Sequence, residues 1–224
     1  MLKILPNPVH KPLHIDEHLI VAVKPAGLLA VPGRGADKQD CLSARLAAEF
    51  GEIHIVHRLD QATSGLMVFA RTLSALRDLH AQFREGTVDK AYEAIVLGKL
   101  DSMSLTIDLP LSADWPNRPK QKVDLDSGKP STTYIEVLSF DAATNTSRVR
   151  LIPVTGRTHQ LRVHLSAVGH AIVGDALYGS QPLLDKASTR ADLRLDRLML
   201  HASELVFMHP ATGEPLSFQS APEF

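Results

Sequence analysis

The sequence predicts an α+β fold with a mixed β-sheet. Segments typical of strands outnumber segments typical of helices, and the two kinds do not alternate regularly along the chain. Because Rossmann and TIM-barrel folds require regular alternation, both are disfavoured. A chain of 224 residues with 44% hydrophobic and 22% charged residues has the length and composition of one globular domain.

The first half of the chain carries strong local signals. The apolar run from Leu19 to Lys24 predicts a buried strand that ends at Pro25. A short helix is predicted between Asp40, as the N-cap, and Gly51. Helical spacing of apolar residues predicts a second helix from residue 73, which Gly86 ends. Three further strands are predicted at residues 53–56, 66–70 and 91–97.

The second half predicts a loop, alternating strands and a third helix. Two prolines keep residues 114–119 (Asp-Trp-Pro-Asn-Arg-Pro) out of any helix or central strand. Thr158 is a candidate cap for a helix that Gly169 follows. A polar insertion is predicted at residues 180–197. Strands are predicted at residues 132–138, 148–152, 198–201, 204–208 and 216–218.

Composition excludes several classes of protein. The single Cys41 forms neither an internal disulfide nor a zinc cluster, and no HExxH, Walker or GxGxxG pattern is present. We therefore expect no metal and no cofactor. The apolar runs are far shorter than the roughly 20 residues that cross a bilayer. The first twelve residues lack the apolar core of a secretory signal. These features predict a cytoplasmic protein without a membrane partner.

Charge is balanced overall but uneven along the chain. Twenty-four basic and 25 acidic side chains give a net charge of −1, which disfavours indiscriminate coating of nucleic acid. However, the 33 residues from Ala142 to Gly174 contain four arginines, three histidines and no Asp or Glu. This stretch is suited to attracting phosphate, unless acids from elsewhere in the fold neutralise it. Arg162 lies near the apolar stripe of its helix, where an arginine usually has a carboxylate partner.

Two loops are candidate sites. Residues 57–65 (His-Arg-Leu-Asp-Gln-Ala-Thr-Ser-Gly) present Asp60 between two apolar strands, either as a reactive group or as a turn residue that bonds backbone amides. In residues 114–122, Trp115 could stack on a base while Arg118, Lys120 and Lys122 contact phosphates. From the residues alone, a surface loop with Trp115 packed inward is the favoured interpretation.

The motif of residues 57–65 resembles the signature loop of the RluA family of pseudouridine synthases. Four further blocks follow the family order, with Ala171 where the family usually has proline. Segments 114–121 and 128–130 are similar to the branch that modifies both tRNA and 23S ribosomal RNA. The blocks are Lys24-Pro-Ala-Gly27, Lys90-Ala-Tyr92, Thr155-Gly-Arg-Thr-His-Gln-Leu-Arg-Val-His164, and Gly169-His170 through Gly174-Asp175.

The resemblance implies a fold and a reaction. The fold is a mixed, mainly antiparallel sheet flanked by helices and loops, in one catalytic domain spanning residues 1–224 without an S4-like RNA-binding domain. The reaction isomerises uridine to pseudouridine without metal or cofactor, in the tRNA anticodon stem-loop and a 23S rRNA stem-loop. We expect a monomer.

The resemblance also assigns roles to residues. Asp60 corresponds to the essential aspartate, which could attack C6 of the base, attack C1′, or abstract a sugar proton. Arg162 corresponds to the arginine that pairs with it, and Tyr92 to the tyrosine that stacks on uracil. Arg58 corresponds to the residue that contacts RNA where the target base leaves its stack. The other expected RNA-binding residues are His57, Arg157, Arg118, Lys120 and Trp115.

Two alternatives belong to other classes of function. The first is an RNA-binding protein that helps RNA fold, with catalysis secondary or lost. The intact set of Asp60, Tyr92 and Arg162 argues against that loss. The second is a glycoside-type hydrolase built on Asp60. Such an enzyme needs a second carboxylate about 5–10 Å away, and the arginine-rich segment offers none.

Overall fold

The computed structural model describes residues 12–179 and 197–224, which form three α-helices and twelve β-strands. The helices are α1 (Leu42–Phe50), α2 (Leu73–Glu85) and α3 (Gln160–Ala167). The strands are β1 (His14–Ile15), β2 (Leu19–Lys24), β3 (His54–Ile55), β4 (Ser64–Ala70), β5 (Asp89–Leu97), β6 (Ser104–Asp108), β7 (Leu111–Ala113), β8 (Gln121–Val123), β9 (Thr132–Asp141), β10 (Thr146–Pro153), β11 (Leu200–Met208) and β12 (Pro215–Gln219).

The described residues divide into two compact units. The first contains the residues up to Asp89 together with Glu204–Ser220, and the second contains Lys90–Ser203 and Ala221–Phe224. Strand β11 contributes its beginning to the second unit and its end to the first. The strand pairs within each unit are antiparallel. Antiparallel sheets with helices confirm the predicted α+β class.

In the first unit, β2 pairs with both β1 and β4, β3 also pairs with β4, and β12 pairs with β11. All seven residues of β4 are buried, so its loop is presented from a rigid strand. Helix α2 begins at Thr72, whose hydroxyl accepts from the Ala75 N–H, and ends at Gly86 in the left-handed conformation. The apolar core includes Leu19, Val21, Leu66, Val68, Leu79 and Phe207.

In the second unit, the strands follow one another in the order β5, β10, β9, β6, and β7 pairs with β8 as a separate hairpin. Helix α3 is short, and its first six residues are all buried. A tight approach occurs at Gly174, which has a φ of +76°. A Cβ atom there would lie 1.8 Å from the carbonyl oxygen of Arg197. Only glycine is therefore accommodated at this position.

Several predicted boundaries are corrected. The N-cap of α1 is Cys41, whose Sγ accepts from the Ala44 N–H, because Asp40 instead pairs with Arg45. The N-cap of α3 is His159 rather than Thr158. The two strands predicted at residues 198–201 and 204–208 are one continuous strand, β11. Residues 180–196 of the predicted insertion lie outside the described residues. The other predicted strands and helices are confirmed with small shifts at their ends.

Candidate active site

The polar loop of residues 57–63 lies between β3 and β4 in the first unit and carries Asp60. Leu59 and Thr63 are buried on either side of it. The Thr63 N–H donates to the carbonyl oxygen of Asp60 at 3.1 Å. Two buried neighbours and this tight backbone turn fix the main chain at Asp60, whose side chain is half-buried.

A buried lysine anchors this loop. Lys24 is 0% exposed, and its ammonium group donates to the carbonyl oxygens of Pro25 at 2.9 Å, Leu28 at 2.8 Å and Gln61 at 3.0 Å. Gln61 also exchanges two hydrogen bonds with Gly27, at 2.9 and 3.0 Å. A buried ammonium is stable only when such acceptors surround it. Lys24 therefore ties the turn after β2 to the residue that follows Asp60.

His57 and Arg58, at the start of the same loop, have different surroundings. The His57 ring stacks on Phe83 with 4.8 Å between the ring centroids, and its Nε2 accepts from the Val68 N–H at 3.1 Å. An N–H donor at Nε2 places the proton of the neutral ring on Nδ1. Arg58 is exposed. The structure thus anchors His57 on α2 and β4 while Arg58 faces solvent.

In the second unit, Arg162 forms a buried, bidentate ion pair with Asp175. Its Nε and Nη2 donate to the two carboxylate oxygens, each at 2.8 Å. The two side chains are 5% and 1% exposed. The guanidinium also lies over the Tyr178 ring, 5.1 Å from its centroid. The carboxylate partner that a near-core arginine predicts is therefore present, and it fixes Arg162 in one orientation.

Asp175 remains charged despite its burial. Burial alone would raise its pKa, but the Arg162 guanidinium outweighs burial and holds the pKa below its ordinary value. The backbone N–H groups of Leu177 and Tyr178 donate to the same carboxylate at 2.9 and 3.1 Å. Asp175 thus accepts from Arg162 and from two backbone N–H groups, so the pair acts as a rigid support for α3.

A second buried network fixes α3 to its neighbours. Gln160 Nε2 donates to Thr133 Oγ1 at 3.0 Å. The Thr133 hydroxyl lies 3.0 Å from His164 Nδ1, and His164 Nε2 lies 3.0 Å from the Leu109 carbonyl oxygen. Because a carbonyl only accepts, Nε2 carries the proton and Nδ1 accepts from Thr133. Burial lowers the pKa of His164, so this histidine is neutral and adds no positive potential.

Acids from neighbouring strands neutralise part of the basic stretch between residues 142 and 174. Arg148 pairs with Glu93 of β5 at 3.0 Å, and Arg150 lies 3.8 Å from Glu136 of β9. Both acids come from strands that flank β10 in the sheet. Arg157 is exposed, with its Nε 3.4 Å from the Pro130 carbonyl oxygen. The neutralising acids that the sequence left open are therefore present for Arg148 and Arg150, while Arg157 is exposed.

The loop between β7 and β8 presents Trp115 outward. Residues Trp115–Asn117 form a 3-10 turn, and Trp115 is 67% exposed. The Arg118 guanidinium lies over the indole ring, 4.0 Å from its centroid. Backbone bonds of Asp114 with Lys120 and Asn117 close the loop. The favoured sequence interpretation, with Trp115 packed inward, is therefore wrong, because the indole is exposed and packs against the Arg118 guanidinium instead.

The remaining candidate, Tyr92, lies on β5 opposite Leu151 of β10 and is half-buried. The predicted site residues divide between the units. The first unit holds His57, Arg58 and Asp60. The second holds Tyr92, Trp115, Arg118, Lys120, Arg157 and Arg162.

Lys24, Asp175 and Tyr178 were not among the predicted site residues. Lys24 and Asp175 lie in the sequence blocks that resemble the family, and their place in these blocks is the sequence feature that could have identified them. Tyr178 follows the last of these blocks at a distance of three residues from Asp175. All three support their neighbours through contacts that only the fold reveals.

Two further features concern residues 12–179 and 197–224, which the structure describes. Within these residues no helix is long and apolar enough to cross a membrane. The same residues contain no group of three His, Cys, Asp or Glu side chains arranged to hold a metal ion.

Comparison with known proteins decides the family. A family model described as RNA pseudouridylate synthase matches residues 18–167. The chain belongs to this family. The match spans the loop of Asp60, Tyr92 on β5 and Arg162 on α3, so the RluA-family resemblance is confirmed. Pseudouridine synthases are isomerases that act on RNA, and the chain is an enzyme of this class.

Curated bacterial relatives match nearly the whole chain. The dual-specificity RNA pseudouridine synthase RluA of Escherichia coli (strain K12) is 46% identical over 222 residues, which cover 97% of each protein. The protein of the same name from Yersinia pestis is 46% identical over 212 residues, covering 95% of this chain and 98% of the relative.

Solved structures of more distant relatives share the architecture. The human RNA pseudouridylate synthase domain containing 1 superposes with a TM-score of 0.78 at 28% identity, covering 98% of this chain and 87% of its own. The human RNA pseudouridylate synthase domain containing 4 gives a TM-score of 0.72 at 27% identity, covering 94% and 88%. The pseudouridine synthase fold implied by the sequence motifs is thereby confirmed.

Proposed function

We propose that the protein converts specific uridines to pseudouridine in the anticodon stem-loop of tRNA and in a stem-loop of 23S ribosomal RNA. The observation that supports this substrate range is the 46% identity, over 97% of both chains, with an E. coli enzyme named as dual-specificity. Both RNAs present a short loop whose bases are partly unpaired. An enzyme that reads loop shape and a short motif accepts both.

The reaction rearranges bonds within one nucleotide. The N1–C1′ bond of uridine breaks, the uracil turns, and C1′ joins C5. A proton leaves C5 and N1 gains one, so the product is an isomer of the substrate. The enzyme must therefore supply a nucleophile, hold the detached base and expose the nucleotide.

Asp60 is the proposed nucleophile. A carboxylate can form a covalent intermediate and then leave again, which divides one difficult step into two easier ones. Correct placement of such a group contributes much of the rate. The contacts of Lys24 with Gln61, next to Asp60, support this role because they hold the loop in one conformation.

Arg162 and Tyr92 are proposed to assist Asp60. Arg162 would orient the Asp60 carboxylate while Asp175 holds the guanidinium. Tyr92 would stack on the uracil, a contact that contributes on the order of 1–3 kcal/mol. In this proposal both units form a single catalytic domain.

Exposed and half-buried residues are proposed to bind RNA and extrude the base. Removing a base from its stack costs a few kcal/mol, and least in a loop. Arg58 would occupy the space that the base leaves, with His57 beside it. Trp115 would stack on a second base while Arg118, Lys120 and Arg157 contact phosphates.

Because its substrates are tRNA and ribosomal RNA, we place the protein in the cytoplasm. We also expect a monomer.

A mapping experiment tests the proposal. Purified protein is incubated with a tRNA transcript and a 23S hairpin transcript, and pseudouridine is mapped at base resolution. We expect one modified loop uridine in each RNA. Asp60→Ala should abolish the product. Asp101→Ala, which removes an exposed carboxylate elsewhere, should not.

Each other outcome contradicts part of the proposal. Modification of only one RNA would contradict dual specificity. Release of free uracil would indicate a hydrolase built on Asp60. Tight binding without product would favour a protein that only helps RNA fold.

A further inference from the structure

The Tyr178 hydroxyl joins two segments of the second unit that lie far apart in sequence. The backbone N–H of Gln121, the first residue of β8, donates to this hydroxyl at 2.8 Å. The hydroxyl also lies 2.7 Å from Nδ1 of His159, the N-cap residue of α3. One phenol group thus bonds the loop that carries Trp115 and Arg118 to the start of the helix that carries Arg162.

Tyr178 is itself fixed. Its backbone N–H donates to the Asp175 carboxylate at 3.1 Å, and its carbonyl oxygen accepts from the Ser166 hydroxyl at 2.9 Å. Its ring lies against the Arg162 guanidinium, 5.1 Å away, and meets the His159 ring edge-on at 5.6 Å. A side chain fixed at the backbone and along its ring positions its hydroxyl accurately.

Atom types fix the direction of the Gln121 bond, and the direction of the His159 bond is part of the proposal. A backbone N–H only donates, so the Tyr178 oxygen accepts from Gln121. The phenol then has one proton to give, and the nearby His159 Nδ1 is an acceptor in the neutral ring that carries its proton on Nε2. His159 also has a φ of +54°, a left-handed conformation that is uncommon for residues other than glycine but that asparagine, aspartate and histidine adopt more often than most.

We propose that Tyr178 is a positioning residue for RNA binding, whose hydroxyl holds the loop of Trp115, Arg118 and Lys120 against His159 and sets the tautomer of that histidine. The inference rests on the proposed function, because it assigns that loop to the RNA. The Tyr178 hydroxyl connects this loop to α3, the helix that carries Arg162, so that the two move as one unit. Losing the hydroxyl loosens the loop, while the ring stays against Arg162.

The first test compares Tyr178→Phe, which removes only the hydroxyl, with Tyr134→Phe, which removes a hydroxyl from an exposed tyrosine. The loss of a partly buried hydrogen bond of this kind corresponds to about a tenfold weaker interaction. We expect Tyr178→Phe to raise Kd and KM for the RNA hairpin by about tenfold and to change kcat by less than about twofold. Tyr134→Phe should change none of them. A fall in kcat with unchanged Kd and KM would overturn the proposal.

The second test needs no activity, so it separates failure of this inference from failure of the proposed function. Nitrogen-15 NMR of the histidine rings, with the His159 signals assigned by their loss in His159→Asn, reports the tautomer. We expect the proton on Nε2 in the wild type and a mixture of tautomers in Tyr178→Phe. A proton on Nδ1 in the wild type would overturn the assignment.

A double-mutant cycle completes the test. Asparagine tolerates the left-handed backbone, so His159→Asn should fold. If the hydroxyl acts through His159, the two substitutions together should weaken RNA binding by less than the product of their separate effects. Fully independent effects on Kd would show that Tyr178 does not act through His159 and would overturn this part of the proposal.

Discussion

The ammonium nitrogen of Lys24 lies 3.0 Å from the carbonyl oxygen of Gln61, the residue that directly follows Asp60. The same nitrogen bonds two carbonyl oxygens of the turn after β2. The buried ammonium of Lys24, which is distant in sequence from Asp60, thus holds the loop that carries the proposed nucleophile in one conformation.

The substitution Lys24→Met should lower both the stability of the protein and its turnover. Three carbonyl oxygens would each lose a hydrogen bond from a charged donor, which we expect to reduce the free energy of unfolding by roughly 3 kcal/mol. Misplacement of Asp60 should lower kcat by about 10²-fold. Urea unfolding and single-turnover kinetics measure the two effects, with Lys38→Met at an exposed position as the control. Unchanged turnover would contradict the anchoring role.

Removing the Arg162 guanidinium should distinguish its contribution to protein stability from its contribution to turnover. Arg162→Met leaves the buried Asp175 carboxylate without its ion-pair partner, at an expected cost of about 3–5 kcal/mol in the free energy of unfolding. Adding Asp175→Asn should restore much of that stability, while turnover stays reduced by roughly 10²-fold or more. Arg45→Met breaks the exposed pair with Asp40 and should cost at most about 1 kcal/mol. Near-normal turnover in the double variant would refute a catalytic role for Arg162.

His164 predicts a pH dependence of stability. Its folded-state pKa is lowered from the ordinary value of 6.5 by burial. As the pH falls below about 6.5, His164 therefore becomes protonated in the unfolded chain but stays neutral in the folded chain. This difference in proton binding should decrease the free energy of unfolding by up to about 1.4 kcal/mol per pH unit. Urea unfolding between about pH 7 and pH 5 measures the slope. His164→Gln should flatten it, whereas His80→Gln, at an exposed histidine, should not.

Trp115 should contribute to RNA affinity through stacking rather than charge. We expect Trp115→Ala to weaken binding of the tRNA hairpin by about 1–3 kcal/mol. Because no charge is removed, the slope of log affinity against log salt should stay unchanged. Met103→Ala replaces another exposed apolar side chain and should leave affinity unaltered. Equal affinity in Trp115→Ala would place the indole outside the RNA interface.

The salt dependence of binding tests the phosphate contacts. In the wild type we expect a log–log slope of several units, as a set of phosphate contacts requires. Arg118→Ala should reduce the slope by about one unit, and Arg77→Ala, on the exposed face of α2, should not alter it. Fluorescence anisotropy at a series of salt concentrations measures both. A flat response in the wild type would count against RNA as the ligand.

Elements with local signals were predictable. Helix α2 lies between a threonine cap and Gly86, and its apolar spacing needs no knowledge of distant residues. Strand β2 is a continuous apolar run. Strands β1, β6, β7 and β8 are not predicted by the sequence because they are short and partly polar, and their pairing partners define them more than their own residues do.

The site was predictable in residue identity but not in geometry. The sequence alone indicated that Arg162 needed a carboxylate, yet only the fold identifies Asp175, which follows α3 in a turn. The acids that face Arg148 and Arg150 depend on strand register, which the linear order of charges does not reveal. Likewise, the outward orientation of Trp115 follows from a short 3-10 turn that its residues alone did not distinguish from an inward-packed loop.

The absence of a side chain at Gly174 has a genetic consequence. One added methyl group would collide with the carbonyl oxygen of Arg197 and displace the main chain immediately before Asp175. Missense mutations in the Gly174 codon should therefore inactivate the enzyme, although glycine contributes no reactive group. A saturation library selected for function should show this position intolerant of all nineteen replacements, beside neighbours that accept several.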